Sequence, residues 1–531
     1  MGDAVTSSFM EKPMKLSIVP IVLLGMHVTA FAQSNSKCSD MAKFRSPGVT
    51  LEISRAEIVP AGRAQGARGG PAGPALPAHC RIDGMTDRRT GTDGKTYGIR
   101  FAIALPENWT GQYLQQGGGG LNGTVGQPTG AQVAGDQPAL ARGFAVATTD
   151  TGHQSSGGAF DGSFMQDQQA ALDFEYIANG RVALLARQII ESYYGRPPAH
   201  TYFVGCSTGG REAMLMAQRY PLYFDGIVAG APAMRTGHSN LATRSITVAL
   251  NRIAPKGPDG RPVPGGALSD SDRRAIIAKL LDVCDAHDGV KDGMIFDVSG
   301  CNFKPADLQC PAAKMEGCLS KEQVDAIQTG FAGPKDSRGN QIYPGFVFDT
   351  GITATGGGIP GLLATGNSPL GPPSAAVQQD MDAEAARVNS NPTAIIGDSS
   401  TWTNLSTFSS HGGKLIFYHG VSDPWFSAKD TIDYYERLSK ANGGETKVKD
   451  WSRLFLSPGM GHCGGGSGAL DTFDFLSAAV NWVEKNSPPE SVNATGRAFP
   501  GRSRPLCPYP QHAQYNGNGN PEDAANYACR P

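Results

Sequence analysis

The apolar, β-prone run Thr201-Tyr202-Phe203-Val204 passes without a spacer into Gly205-Cys206-Ser207-Thr208-Gly209, and a helical pattern follows from about residue 210 to 219. A second short apolar run, Gly226-Ile227-Val228-Ala229, comes directly after it. Strand, tight turn, helix and strand in close succession predict a parallel sheet flanked by helices. The turn itself fits Gly-x-Ser-x-Gly. Between a strand and a helix, such a turn needs small neighbours, lifts the serine hydroxyl above the sheet edge and presents helix N-terminal N–H groups beside it. A chance Gly/Ser turn in a glycine-rich chain is the plain alternative, and the flanking strand and helix argue against it.

Working outward, residues 99–105 alternate as a strand and stop at Pro106, residues 113–116 run into Gly117-Gly118-Gly119-Gly120, and residues 144–149 run into Asp150. Apolar residues recur at helical spacing over 168–194, with a break expected near Asn179-Gly180. From about 234 to 410, Gly, Pro, Asp and Cys interrupt every apolar run. The alternation resumes with a strand at 414–418, a helix over 427–440, a strand at 453–456 and a helix over 471–485. The expected fold is therefore α/β, an α/β-hydrolase core with a mostly parallel sheet flanked by helices. Its catalytic domain spans 33–233 and 411–531, and residues 234–410 form an inserted lid domain.

A serine hydroxyl is a poor nucleophile until a neighbouring base takes its proton, so a histidine oriented by a carboxylate is required. Asp423 follows the strand ending in Tyr418-His419-Gly420, and His462 follows the next strand in Pro458-Gly459-Met460-Gly461-His462-Cys463-Gly464. Both stand at strand ends in the chain order Ser, Asp, His. His419 and His153 fit less well and read as packing or pocket residues. Cys206 precedes the serine and Cys463 follows the histidine, so if Ser207 and His462 meet, their neighbours come near disulfide range. A Cys206–Cys463 bridge is expected. Gly117 to Gly120 follow a strand that precedes the nucleophile, where the second oxyanion donor of such folds originates, which assigns the hole to the N–H groups of Gly120 and Thr208. No Lys-Ser/Thr pair follows the glycines, as a phosphate loop requires.

The 531 residues carry 46 basic and 48 acidic side chains, a formal charge of -2 that gives no reason to invoke a nucleic-acid partner. Lys12 and Lys15 precede an apolar run over 16–28 that ends at Ala30-Phe31-Ala32, a pattern that predicts a signal peptide over 1–32, with Met14 as an alternative start. The product is expected to be secreted or periplasmic, free of the membrane once cleaved. Ten cysteines in an oxidising compartment are expected to pair. None follows a paired C-x-x-C pattern. Spacing alone leaves the connectivity open, though short separations favour Cys284 with Cys301, Cys310 with Cys318 and Cys507 with Cys529. In the insertion, Asp285, Asp288 and Asp292 are spaced through Gly289 and Gly293. Hard oxygen ligands so spaced suit Ca²⁺, with backbone carbonyls of Val290 and Met294 completing the shell, against the plain alternative of a solvated acidic loop.

With these residues placed, the chain resembles the tannase and feruloyl esterase family, which also includes an enzyme that hydrolyses mono(2-hydroxyethyl) terephthalate. The resemblance is densest at Gly205-Cys206-Ser207-Thr208-Gly209-Gly210-Arg211-Glu212, Tyr418-His419-Gly420-Val421-Ser422-Asp423, Pro458 to Cys463, and Arg504-Pro505-Leu506-Cys507-Pro508-Tyr509-Pro510. It implies an aromatic ester substrate, the Cys206–Cys463 bridge, the other pairings above with Cys38–Cys80 added, and a structural Ca²⁺ held by Asp285, Asp288, Val290, Asp292 and Met294. Thr208 after the serine is like the feruloyl esterases and unlike the glutamate of the terephthalate enzyme. That enzyme looks to its lid for an arginine; between Arg338 and Arg437 this chain offers only Arg387. Trp425 and Phe426, just after the expected acid, are placed to stack on an aromatic acyl group. Three rival readings are a non-catalytic binding protein on the same fold, a serine peptidase and a metal-dependent hydrolase, the last disfavoured because no His cluster has ligand spacing.

Overall fold

A computed structural model of the protein describes residues 1–2, 36–63, 73–155, 157–355, 360–364 and 374–531. The expected leader over 1–32 lies, apart from its first two residues, outside them. Nine strands share one sheet: β1 (Leu51–Val59), β2 (His79–Thr90), β3 (Thr96–Pro106), β4 (Gln112–Gln116), β5 (Ala145–Thr149), β6 (His200–Cys206), β7 (Gly226–Gly230), β8 (Lys414–Gly420) and β9 (Ser452–Ser457). Their spatial order is β1-β2-β3-β5-β4-β6-β7-β8-β9. The first three form an antiparallel meander that joins β5 antiparallel. From β5 through β4 to β9 every pairing is parallel.

The parallel strands are buried on both faces, which is why they read as continuous apolar runs. Successive side chains point to opposite sides. Phe203, Ile227, Leu415 and Phe417 therefore enter one core with helices α1 (Ala178–Tyr194), α2 (Thr208–Arg219) and α7 (Ala428–Ala441), represented by Ile189, Met214 and Tyr434. Tyr202, Val204, Val228, Ile416 and Tyr418 enter a second core with α8 (Phe475–Lys485), represented by Leu476 and Trp482. The break expected at Asn179-Gly180 lies earlier. A π-helical turn occupies Asp173–Ile177, and Gly180 stands inside α1 because a Cβ there would meet the Tyr220 ring at 2.3 Å.

Between β7 and β8, helices α3 (Thr236–Asn251), α4 (Asp270–Cys284) and α5 (Lys321–Ala332) build a third core around Ile246, Ile276, Leu280, Ile327 and Phe331. Helix α6 (Met381–Asn389) packs Ala385 and Val388 on Leu241 of α3. At the two ends of this segment Met234, Leu405 and Phe408 belong to the first core. Five disulfides, Cys38–Cys80, Cys206–Cys463, Cys284–Cys301, Cys310–Cys318 and Cys507–Cys529, leave no free cysteine. Among the described residues no helix is long and apolar enough to cross a membrane.

Candidate active site

Ser207 caps β6 and opens α2 with φ 65° and ψ -124°, a backbone conformation rare outside glycine. The turn is enforced by its neighbours. A Cβ on Gly205 would stand 2.2 Å from the Gly209 carbonyl oxygen, and one on Gly210 would stand 2.1 Å from that of Gly230. The Ser207 N–H donates to Gly230 O at 3.0 Å, and its carbonyl accepts from Ala233 N at 3.1 Å, so β7 holds the turn in place. The serine is half-buried.

Asp423 and His462 meet. His462 Nδ1 is 2.7 Å from Asp423 Oδ2, and the two side chains are 4% and 0% exposed. A carboxylate beside Nδ1 fixes the hydrogen there and leaves the Nε2 lone pair free. That Nε2 is buried and has no hydrogen-bond partner among the described residues. Burial pushes the Asp423 carboxyl up, but the imidazoles of His462 and His419 outweigh it and hold the group well below its ordinary range. Its other oxygen accepts from Trp425 N at 2.8 Å and Phe426 N at 3.1 Å, so the turn after β8 wraps around the carboxylate. The Cys206–Cys463 bond, with Cα atoms 6.0 Å apart, ties the residue before Ser207 to the residue after His462.

The glycine run lies beside the turn. Gly117 N–H donates to Val204 O at 2.8 Å, extending the β4–β6 pairing, and Gly120 turns with φ +59° where a Cβ would meet Ala159 O at 2.5 Å. The Thr208 hydroxyl donates to the Gly120 carbonyl, so both expected oxyanion donors sit on one linked element. Thr208 is the first residue of α2, where N–H groups have no intrahelical partner.

The ring of Trp425 lies 4.9 Å and that of Phe426 5.3 Å from the His462 ring. Trp425 is half-buried and lines a cavity of about 640 Å³ together with Leu241, Arg244, Leu250, Leu362 and Arg387. Phe426 is only 6% exposed and packs behind the imidazole. Sequence reading missed Phe160. It is 45% exposed and set edge-on to Trp425 at 5.7 Å, and its one sequence cue is an aromatic side chain in an otherwise small and polar loop. His419, expected as a packing or pocket residue, is fully buried, and it packs against Asp423, with Nε2 3.4 Å from Oδ2.

In the Asp285 loop, Asp285–Asp288 form a short 3-10 turn, and left-handed Gly289 (φ +93°) and Gly293 (φ +84°) fold the chain back. Asp285 accepts from the N–H groups of Asp292 and Gly293. Burial, with the charges of Asp292 and Asp285 adding to it, pushes the Asp288 carboxyl up to about 7. The donor set is all oxygen, which fits a hard divalent cation. Against that, Asp292 is paired with Arg504 and Arg502, and among the described residues no three His, Cys, Asp or Glu side chains are gathered as a metal-holding group.

The sequence model described as tannase and feruloyl esterase matches residues 80–389 and 374–530. A mono(2-hydroxyethyl) terephthalate hydrolase of Piscinibacter sakaiensis is 36% identical over 520 residues, covering 86% of this chain and 85% of that protein. The crystal structure of feruloyl esterase B from Aspergillus oryzae superposes with a TM-score of 0.75 at 25% identity, covering 94% of this chain and 100% of that one. Tannin acyl hydrolase from Aspergillus niger shares the fold, with a TM-score of 0.68 at 20% identity over 94% of this chain and 95% of that one. The chain belongs to the tannase and feruloyl esterase family, and it is a carboxylic-ester hydrolase.

Proposed function

We propose that the protein is a secreted serine esterase of aromatic acyl esters, with Ser207 as nucleophile, His462 as general base, Asp423 as the group that orients it, and the N–H groups of Gly120 and Thr208 as the oxyanion hole. The observation that carries this reading is the His462–Asp423 contact at 2.7 Å, with an unengaged Nε2 on a loop cross-linked to the serine turn. His462 takes the Ser207 proton as the hydroxyl attacks the ester carbonyl. The developing oxyanion accepts from the two N–H groups, and the alcohol leaves as His462 returns the proton. Water, deprotonated by the same imidazole, then releases the acid. Asp423 stabilises the imidazolium without itself taking the proton. In resting enzymes the nucleophile-to-base hydrogen bond is often unformed and closes in the substrate complex, consistent with the unpartnered Nε2.

The substrate class rests on the relatives' names and on Trp425, which stands between His462 and the cavity, with Phe160 at its edge. Residues 234–410 act as the lid that walls this cavity; Asp285, Asp288, Asp292 and the carbonyls of Val290 and Met294 would hold a Ca²⁺, which would stabilise that lid without entering the reaction. Export is supported by the leader pattern and by five disulfides. A serine-directed fluorophosphonate is expected to label Ser207, and Ser207→Ala is expected to abolish hydrolysis of methyl ferulate and methyl gallate while the protein stays folded. Near-normal turnover in that variant would refute the assignment. The 36% identity to the terephthalate enzyme, and Arg387 on the cavity wall, favour a terephthalate monoester as the second substrate to assay.

A further inference from the structure

Glu212 lies one helical turn beyond Thr208 on α2 and is 1% exposed. A carboxylate so enclosed is costly unless its oxygens are satisfied. Both are. Oε2 accepts from Gly118 N–H at 3.0 Å and Oε1 accepts from the Asn122 side-chain amide at 2.7 Å. These donors lie two residues either side of Gly120, so one carboxylate grips the loop on both flanks of the residue whose N–H faces the reaction in the reading above. Asn122 is itself 5% exposed and holds φ 48°, which turns the chain back at the end of the loop. A Cβ on Gly117 would stand 2.8 Å from Glu212 Oε2, and one on Gly118 would stand 2.4 Å from the Asn122 amide. Gly118 is therefore required by this clamp, and Gly117 by the clamp together with the Gly209 backbone, whose Cα would stand 2.7 Å away.

Further buried polar groups continue behind it. The Tyr113 hydroxyl donates to Gln115 at 2.9 Å, Gln115 donates to Asn179 Oδ1 at 3.0 Å, and the Asn179 side chain faces the Glu212 carboxyl. Burial pushes that carboxyl up, and the hydrogen bonds from Gly118 and Asn122 act against it. Hydrogen bonds of this kind are strengthened in a low-dielectric interior, and both Glu212 oxygens are engaged while Asn122 Oδ1 and Asn179 Nδ2 have no partner among the described residues. An oxyanion donor works only where it stands at hydrogen-bond distance from the charge that develops, so the position of the loop is a catalytic quantity.

The geometry points to Glu212 as a positioning residue for the ester hydrolysis: through Gly118 and Asn122 it holds the Gly120 N–H in register with the Thr208 N–H, four residues before it on the same helix. The inference rests on the oxyanion assignment in the proposed function.

The test removes the acceptors and uses the conservative variant as the rescue. Glu212→Leu leaves both N–H partners without an acceptor. In Glu212→Gln one oxygen still accepts from Gly118 N–H, and Asn122 can turn its amide so that Oδ1, which has no partner among the described residues, accepts from the new donor. With 4-nitrophenyl benzoate, Glu212→Leu is expected to lower kcat at least about tenfold with KM within about twofold, the split expected of an interaction made only in the transition state. Phenylboronic acid, which forms a tetrahedral adduct on the serine, is expected to bind more weakly in the same proportion, while inhibition by free benzoate stays unchanged. Glu212→Gln is expected to retain most of kcat. A folded Glu212→Leu with native kcat, a parallel change in kcat and KM, or a folded Glu212→Gln no better than Glu212→Leu would overturn the inference. Should Glu212→Leu fail to fold, Asn122→Ala removes only the Oε1 partner; it is expected to lower kcat by a smaller factor at constant KM, and native kcat there overturns the inference equally. Ser207→Ala run alongside separates the two readings. Activity retained in it sinks the triad, whereas activity lost in it with native kcat in Glu212→Leu sinks the clamp alone.

Discussion

His419 Nε2 stands 3.4 Å from Asp423 Oδ2, the same oxygen that receives His462 Nδ1 at 2.7 Å. That nitrogen also lies 2.9 Å from the Phe426 carbonyl, which only accepts, so it carries a hydrogen and donates toward both. Nδ1 faces the Thr431 hydroxyl at 2.8 Å and accepts from it. Asp423 is thus held by two imidazoles, the proposed base His462 and a locked His419. A hydrogen bond to a charged group contributes about 1.5–3 kcal/mol, so His419→Phe is expected to lower kcat roughly tenfold to a hundredfold with little change in KM. Steady-state kinetics on a variant with intact disulfides checks this. An unaltered kcat would remove His419 from the site.

The Cys206–Cys463 bond spans 257 residues of sequence and joins the loops of the proposed nucleophile and base. Replacing both cysteines with alanine is expected to cost about 2–5 kcal/mol of stability and to depress kcat beyond what unfolding explains, because the two loops lose their common anchor. Activity measured well below the melting temperature separates the effects. Full kcat at that temperature would show that the bond serves stability alone.

The glycines of the run differ in what surrounds them. A Cβ on Gly117 would meet Gly209 Cα at 2.7 Å, backbone that has no room to retreat, whereas Gly119 has nothing within 4 Å. Gly117→Ala is expected to lose about 1–3 kcal/mol, the usual cost of overpacking, and most of its activity. Gly119→Ala is expected to fold with an unchanged melting temperature. Calorimetry on the two variants decides it, and equal losses would contradict the packing described.

Asp150, under the same loop, accepts from Arg100 N and Gly152 N with one oxygen and from Gln154 with the other, and burial pushes its carboxyl up to about 7 from 3.8. Between those pH values the unfolded chain has released this proton while the folded chain retains it, so the group's contribution to stability falls as pH rises through the window. Asp150→Asn keeps the first acceptor, and Gln154 can turn its amide to match the second. The melting temperature of the variant relative to the native protein is expected to rise between pH 5 and pH 8, by about 1 °C for each kcal/mol recovered in a chain of this size. A difference that stays constant across that range would show that Asp150 ionises normally.

Removal of divalent cations bears on the Asp285 loop. Asp285, Asp288 and Asp292 crowd negative charge into one turn, and a bound cation would stabilise the fold by mass action. A strong chelator is expected to lower the melting temperature and leave kcat unchanged below the transition. An unchanged melting curve, with no metal by elemental analysis, would remove the calcium reading.

Much of this was legible in the chain alone. The strand, Gly-x-Ser-x-Gly and helix around Ser207 follow from local pattern, because a turn with φ 65° at a serine needs glycines at fixed offsets. Asp423 and His462 stand at strand ends whose apolar runs are continuous since both sheet faces are covered. The adjacency of Cys206 to Ser207 and of Cys463 to His462 foretold their bond. Less was legible where the signal is not local. The antiparallel strands β1 and β2 were not read, and the helix irregularity was placed at Asn179-Gly180 rather than at Asp173–Ile177, because the size of a glycine is explained by Tyr220, distant in sequence.

The sequence by itself determined the order of the proposed groups, Ser207, then Asp423, then His462, each after its own strand. Only the tertiary structure decided which of the buried polar residues hold those groups in place. His419 on Asp423, Glu212 on Gly118 and Asn122, and Phe160 on Trp425 are partners 4, 90–94 and 265 positions apart. Local propensity acts over a few residues, whereas a hydrogen bond or ring contact between distant residues needs its two halves brought together by the sheet and its packed helices.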